Sequence, residues 1–321
     1  MKKKILFACY IVWVSILIYV FMRLIHPPVS EQPMLKSQPH HVLKSWIEPK
    51  TRIHFIQLPK NCFYMGSPRH EKNRGEDEGP MHRFCLDSFW ISKNEITVLQ
   101  FQNFINNTRY ITQAEKDGFS WAYDGKWKKR GGLYWKNPGF VQTQDHPVTH
   151  VTYHDALEMA QWISDRSKRF TLPTEAQWEY ACRAQSDRSR FFGDDITKTC
   201  KFANVADLTI KQKYHAWTVH PCNDSFLYTA PVSSFSPNSF GLHDMLGNVW
   251  EWCINAYDHH AYLHPEKSYG VYSNQTPVSI RGGSWYTRPQ YLRCANRDFV
   301  ATLNRRSSDL GFRLIMWDKY K

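Results

Sequence analysis

The sequence predicts one α+β domain with an unusually large irregular share, preceded by a single N-terminal transmembrane helix. Three observations carry this. First, Lys2, Lys3 and Lys4 precede Ile5–Met22, eighteen residues without a charge, and Arg23 closes the run. That is close to the ~20 residues a span needs, and the basic flank places the N-terminus in the cytoplasm. Second, beyond it, helix starts with their own caps occur without the strand–helix alternation of a parallel sheet. Third, the remainder is rich in turns and poor in long periodic runs.

In chain order, residues 1–25 read as a Lys-rich start and signal-anchor helix. No small-x-small cleavage site follows the apolar run, so the anchor is expected to stay. Residues 26–51, with five prolines, read as a spacer, and residues 52–321 as the domain. The chain is therefore expected in the inner membrane as a single-pass protein, its domain in the periplasm or outside the cell. About 270 residues with many of the chain's 13 Trp can bury a core. Ile53–Met65 and Arg83–Ile91 alternate as short strands, and Tyr228–Phe235 alternates too. Thr97 can cap a helix carrying Phe101, Phe104 and Ile105 on one face. Thr152 with Asp155 opens a second, with Ala156, Met159, Ala160 and Ile163 as its stripe. Thr174 with Gln177 makes a capping box for a third, with Trp178 and Cys182 inward.

The net charge is +12, and residues 1–50 supply +5 of it, seven Lys or Arg against two Glu. The rest is spread out. Only Lys126–Arg130 is densely basic; it reads as a solvated turn, and nucleic acid is not an expected partner. Seven cysteines follow the apolar run: Cys62, Cys85, Cys182, Cys200, Cys222, Cys253 and Cys294. They form no zinc spacing, and an exported chain sits where disulfides persist. Spacing alone leaves the connectivity open.

The stretch with most chemistry is Asn238–Trp252, NSFGLHDMLGNVWEW. Gly241 and Gly247 permit positive φ and close approach of chain. Asp244 and Glu251 can converge there with backbone carbonyls, and hard oxygens suit a hard cation such as calcium. A turn-capping Asp244 and a salt-bridged Glu251 would use the same residues.

Phe240–Trp252 followed by Arg281-Gly-Gly-Ser-Trp285 resembles the core of the formylglycine-generating enzyme, or sulfatase-modifying-factor, family. Met65–Ser67, Asn94–Thr97, Leu172–Tyr180, Arg293–Arg297 and Leu310–Arg313 fit in the family's order, and the likeness covers residues 53–316. The resemblance implies a C-type-lectin-like fold ordered by structural calcium and disulfides. It matches Asn204, Val205, Asp224 and Phe226 to one calcium site, and Asp244, Gly247, Val249 and Glu251 to another. It pairs Cys182 with Cys294; Cys62–Cys85 and Cys200–Cys222 are then local pairs, leaving Cys253 as a buried free thiol. It also matches Trp250, Ser284, Arg297 and Asp309 to positions lining a substrate cleft. Ordinary packing and ion pairing would occupy the same four residues.

The family's enzymes oxidise a cysteine with O₂ and a copper(I) held by two thiolates. Here that interval reads Trp285–Leu292 without cysteine, Thr287 standing near the first position; copper is not expected. His260, His264 and Glu266 spell an iron motif of related sulfoxide synthases. Pro265 disfavours the helix it needs, so iron is not expected either. The resemblance leaves three functions: a ligand-binding or scaffold domain of the envelope taking a protein, peptide or glycan; an oxidative maturation enzyme; or true formylglycine generation.

Overall fold

The computed structural model describes residues 43–264 and 273–318, and in it local capping chemistry sets the helices. Thr97 Oγ1 accepts from Gln100 N at 3.2 Å while Gln100 Oε1 accepts from Thr97 N at 3.0 Å, opening α1 (Val98–Thr108). Thr112 and Glu115 do the same for α2 (Gln113–Asp117), Thr152 and Asp155 for α3 (Tyr153–Ile163), and Thr174 and Gln177 for α4 (Glu175–Arg183). Each cap is worth about 1 kcal/mol. A single turn, α5 (Leu208–Lys211), follows under Asp207. The three helices expected from sequence are α1, α3 and α4; of their predicted apolar faces Phe101 and Phe104 on α1, Ala156, Met159, Ala160 and Ile163 on α3, and Trp178 and Cys182 on α4 are buried, while Ile105 is half-buried.

The strands are β1 (Ser45–Ile47), β2 (His54–Leu58), β3 (Asn61–Met65), β4 (His82–Leu86), β5 (Phe89–Ser92), β6 (Phe119–Tyr123), β7 (Trp127–Gly131), β8 (Lys168–Thr171), β9 (Trp250–Ala256), β10 (Val278–Arg281), β11 (Asp298–Val300), β12 (Leu310–Gly311) and β13 (Ile315–Asp318). A five-stranded antiparallel sheet runs β1-β2-β5-β13-β8, and the C-terminal β13 lies inside it, Ile315 opposite both Ile91 and Thr171. A second sheet runs β11-β10-β9-β12, with β12 parallel to β9. β3-β4 and β6-β7 are separate hairpins. No helix or strand occurs between residues 212 and 249, which is the large irregular share the sequence implied.

One core cluster packs α1 and α3 with Phe55, Trp250, Trp252 and Phe312. A second packs α4 with Leu242, Met245, Leu246 and Cys253. Full burial of side chains such as Phe101 is worth about 1.5–3 kcal/mol each. Among the described residues three disulfides bind the loops: Cys62–Cys85 across β3 and β4, Cys182–Cys294 from α4 to the loop after β10, and Cys200–Cys222. Cys253 is free and buried. The pairing is the one expected.

Four expectations are corrected or fall elsewhere. The spacer 26–51 ends earlier, because Trp46 of β1 packs on Phe55 and Phe170 at ring-centroid distances of 5.9 and 6.2 Å; the compact unit starts at Leu43. Tyr228–Phe235 is not a strand. Its N–H groups go elsewhere: Ala230 to Asn248 Oδ1, Val232 to Asp145 O and Ser233 to Asp244 Oδ2. Lys126–Arg130 is no turn but mostly β7, carried by the Asp124-Gly125 reversal with Gly125 at φ +73°. The span Ile5–Met22 lies outside the described residues; among those described, no helix is long and apolar enough to cross a membrane.

Candidate functional site

Much of what looked like site chemistry in the sequence is a buried ionic frame. α4 presents Glu175 and Glu179 one turn apart. Arg297 donates to both oxygens of Glu175, Nε at 2.8 Å and Nη2 at 2.9 Å, while Glu179 receives Arg183 Nε at 2.9 Å and Arg281 Nη2. Burial opposes the charge on Glu175, yet Arg297 and Arg281 hold its carboxyl at about 2. Arg293 makes a two-bond pair with Glu78 at 2.6 Å. Removing one partner from such a pair leaves an uncompensated buried charge, at a cost of about 3–5 kcal/mol. Arg297 is further enclosed by the rings of Tyr257 and Tyr262, at 4.9 and 4.5 Å. It therefore holds the frame and does not face the cleft the resemblance assigned it to.

The two calcium sets meet around Asn204 and Gly247. Asn204 Nδ2 donates to Tyr228 O at 2.7 Å and to Asn248 Oδ1 at 3.0 Å, which leaves Asn204 Oδ1 buried without a hydrogen bond. Asp224 accepts from Val205 N and Phe226 N, both at 2.8 Å, and has no basic side chain in ion-pair contact among the described residues. Burial pushes its carboxyl up to about 7, and the nearby Asp207 adds to the rise. Carboxylate oxygens of Asp207 and Asp224 lie within 4.8 Å of each other and of the Cys200 sulfur. That sulfur is disulfide-bonded and no thiolate ligand. An orphaned amide oxygen beside unneutralised carboxylates fits a hard cation. Sequence reading missed Asp207, whose only signal was its role as a helix cap.

In the second set Asp244 is fully enclosed. Its Oδ2 accepts Ser233 N at 2.9 Å and its Oδ1 has no partner; burial raises its carboxyl to about 6. Glu251 is already engaged, accepting Trp178 Nε1 at 2.7 Å and Arg313 Nε at 2.9 and 2.7 Å. Glu95, absent from the sequence-derived set, joins through Asn248 Nδ2 and Val249 N. Burial, then Asp244 and Glu251, raise its carboxyl well above the ordinary range. Three acids thus face one guanidinium. Gly247 sits at φ +81°, where an added Cβ would stand 2.2 Å from Asn204 O, so glycine lets the two loops touch. This set fits a cation in part: Asp244 is open to one, while Arg313 already neutralises Glu251.

A cavity lies beside two of the four residues that the resemblance assigned to a cleft. Of about 580 Å³, it opens over the second sheet, within the roughly 300–1,000 Å³ typical of small-ligand sites. Trp250, Ile280 and Leu310 come from β9, β10 and β12; Phe119, Trp121, Trp127 and Lys129 come from the β6-β7 hairpin; residues 301–309 close the rim. Two contacts lock hairpin to rim, Trp121 N to Arg306 O at 3.2 Å and Ser308 N to Trp121 O at 3.1 Å. His150 supports them, its N bonded to Ser307 O and its ring between Ser120 Oγ and Pro138 O; burial keeps it neutral, at about 4. Of the four expected residues, Trp250 and Asp309 line the cavity, and Ser284 and Arg297 do not. Asp309 is 4 % exposed, accepts Ser307 Oγ at 2.7 Å, and is raised to about 6 by burial. The hairpin aromatics were missed, although Asp124-Gly125 between aromatic alternations was the available signal.

Where the copper thiolates would stand, Thr287 Oγ1 accepts Ser284 N at 2.8 Å, and Leu292 is in the core. Cys253 lies in the α4 cluster with its thiol pushed far up by burial; it does not line the cavity. The donor set does not fit two-thiolate copper(I). His260 and His264 flank a 3-10 turn, Ala261–Leu263, whose Tyr262 is buried under Arg297; Glu266 lies outside the described residues.

Comparison with known proteins agrees with this architecture. Residues 47–317 match the sulfatase-modifying factor enzyme 1-like domain. The chain is 30% identical over 300 residues to the formylglycine-generating enzyme of Mus musculus, covering 84% of this chain and 77% of that protein. It is 26% identical over 270 residues to the inactive C-alpha-formylglycine-generating enzyme 2 of Bos taurus, covering 73% and 76%. Among solved structures, PvdO from Pseudomonas aeruginosa superposes with a TM-score of 0.70 at 26% identity, over 85% of this chain and 97% of that one. Sequence motifs, disulfides and fold thus meet in one assignment: the chain belongs to the sulfatase-modifying factor enzyme 1-like domain family.

Proposed function

We propose that this is a membrane-anchored, extracytoplasmic ligand-binding member of the family that lacks copper-dependent formylglycine chemistry. The observation that carries the reading is the fate of the thiolate positions. Thr287 stands near the first thiolate position and is committed to Ser284 N, and Cys253, the one free thiol among the described residues, is enclosed in the α4 core cluster. What the cavity offers is an aromatic box with a few polar groups, the usual make-up of a binding site. Calcium would serve as structural glue, held by Asn204 Oδ1 and Asp224 with the carbonyls of Val205 and Phe226, and by Asp244 with those of Gly247 and Val249. In both places it would neutralise acids that the fold otherwise leaves uncompensated.

The test is incubation of the purified ectodomain with copper(I) and a Cys-x-Pro-x-Arg peptide. No conversion is expected by mass spectrometry; repeated turnover to the formylglycine product would overturn the reading. A second reading, oxidative maturation in the same cleft, has one observation in its favour. Asp309 is a buried carboxyl raised to about 6 on the cavity wall, a value suited to proton transfer near neutrality. Metal analysis of protein from its native host separates the two: calcium alone favours binding, while stoichiometric iron or copper favours redox chemistry.

A further inference from the structure

The cavity rim carries a cation that the fold leaves unpaired. Of two adjacent arginines, Arg306 is committed: its guanidinium meets Asp117 Oδ2 at 2.6 Å, Asn304 O at 2.9 Å and Phe119 O at 3.1 Å. Arg305 is not. Its guanidinium lies against the rings of Trp121 and Trp127, at 4.8 and 5.0 Å. Among the described residues it makes no ion pair and its guanidinium no hydrogen bond. A half-buried guanidinium without an ion-pair partner is costly: burial lowers its pKa, and Asp309, beyond ion-pair contact, offsets this only through space. Aromatic packing orients the planar fork and leaves its N–H edge for an acceptor. A fork of that shape matches a carboxylate bidentately, which a lysine does not. Across the same cavity stand Asp309, with Ser307 on one oxygen, and the apolar faces of Trp250 and Tyr286.

We propose that the cavity binds an aromatic carboxylate, with the ligand's carboxylate on Arg305, its ring among Trp250, Trp127 and Tyr286, and a hydroxyl or amino group of the ligand donating to Asp309. This rests on the cleft-binding reading above and names the chemistry of its ligand. The same chemistry occurs in a free aromatic acid and at the C-terminus of a peptide ending in tyrosine.

Isothermal titration of the calcium-replete ectodomain tests it with four probes: 3-(4-hydroxyphenyl)propionate and its amide, and Gly-Gly-Tyr as free acid and as amide. In at least one pair the acid should bind about tenfold or more tightly than the amide, the effect of one charge-assisted pair. Arg305→Gln should abolish that preference, and Arg305→Lys should restore only part of it. Unchanged melting of both variants shows that they fold. Preference within one pair only tells the free acid from the peptide end. If acid and amide bind alike, or the preference survives Arg305→Gln, the cleft reading stands and the carboxylate assignment falls. If no probe binds, both fall.

Discussion

Calcium dependence should be strong at alkaline pH and weak at acid pH, and Asp224 is the residue that decides it. Its carboxyl moves from an ordinary 3.8 to about 7 because burial removes water and Asp207 stands nearby. At 1.36 kcal/mol for each tenfold, ionising it inside the fold costs roughly 4 kcal/mol more than in water. The sign follows from proton binding. A carboxyl raised in the folded state holds more protons there than in the unfolded chain, so metal-free stability is greatest below pH 4 for this group. It is lost as the pH climbs through about 7. Calcium bound only by the folded state offsets that loss, by about 2.7 kcal/mol at one hundred times its dissociation constant. In a domain of this size that is roughly 5–10 °C of melting midpoint. The assay is a melting series at pH 5 and pH 8, with calcium or with chelator, after metal stripping has been verified. The gap should be several degrees at pH 8 and shrink at pH 5. Asp224→Asn should narrow the gap at pH 8 to what the Asp244 site supplies and, in chelator at pH 8, melt at or above wild type, since it removes the buried charge along with the metal. Identical wild-type midpoints with calcium and chelator at pH 8 would refute the reasoning.

Three further outcomes follow from the same structure. Gly247→Ala should destabilise the domain by at least about 1–3 kcal/mol, because the new Cβ meets Asn204 O at 2.2 Å with φ at +81°; a neutral melting shift would show that the two loops are not held together there. Cys182→Ser with Cys294→Ser opens a loop of 112 residues, for which chain entropy gives about 4.7 kcal/mol; denaturant unfolding should show most of that loss, and an unchanged midpoint would speak against the bridge as a stabiliser. Alkaline phosphatase fused after Lys321 should be active if Ile5–Met22 anchors the chain with its domain outside; activity of a cytoplasmic reporter there would remove the anchor reading.

The sequence by itself determined what short-range chemistry decides. The helix starts at Thr97, Thr152 and Thr174 rest on residues three apart, and each of the three caps formed as read. The family, and with it the three cysteine pairs, was legible because ordered motifs carry their spacing in one dimension. Only the tertiary structure decided what those residues face. Arg297 and Ser284 sit beside cleft residues in the chain, yet the register of β9 against β10 and β12 aims Trp250 and Leu310 into the cavity, while Arg297 turns to α4. Nothing near Glu251 in the chain announces Arg313, sixty-two positions on, which donates to both its oxygens. Nothing in the sequence marks Arg305 until the β6-β7 hairpin brings Trp121 and Trp127 against it. The reason is physical: a backbone cap is satisfied within one turn of chain. The partner of a buried charge, or the opposite wall of a cavity, is chosen by strand pairing across more than a hundred residues, and no local pattern records that choice.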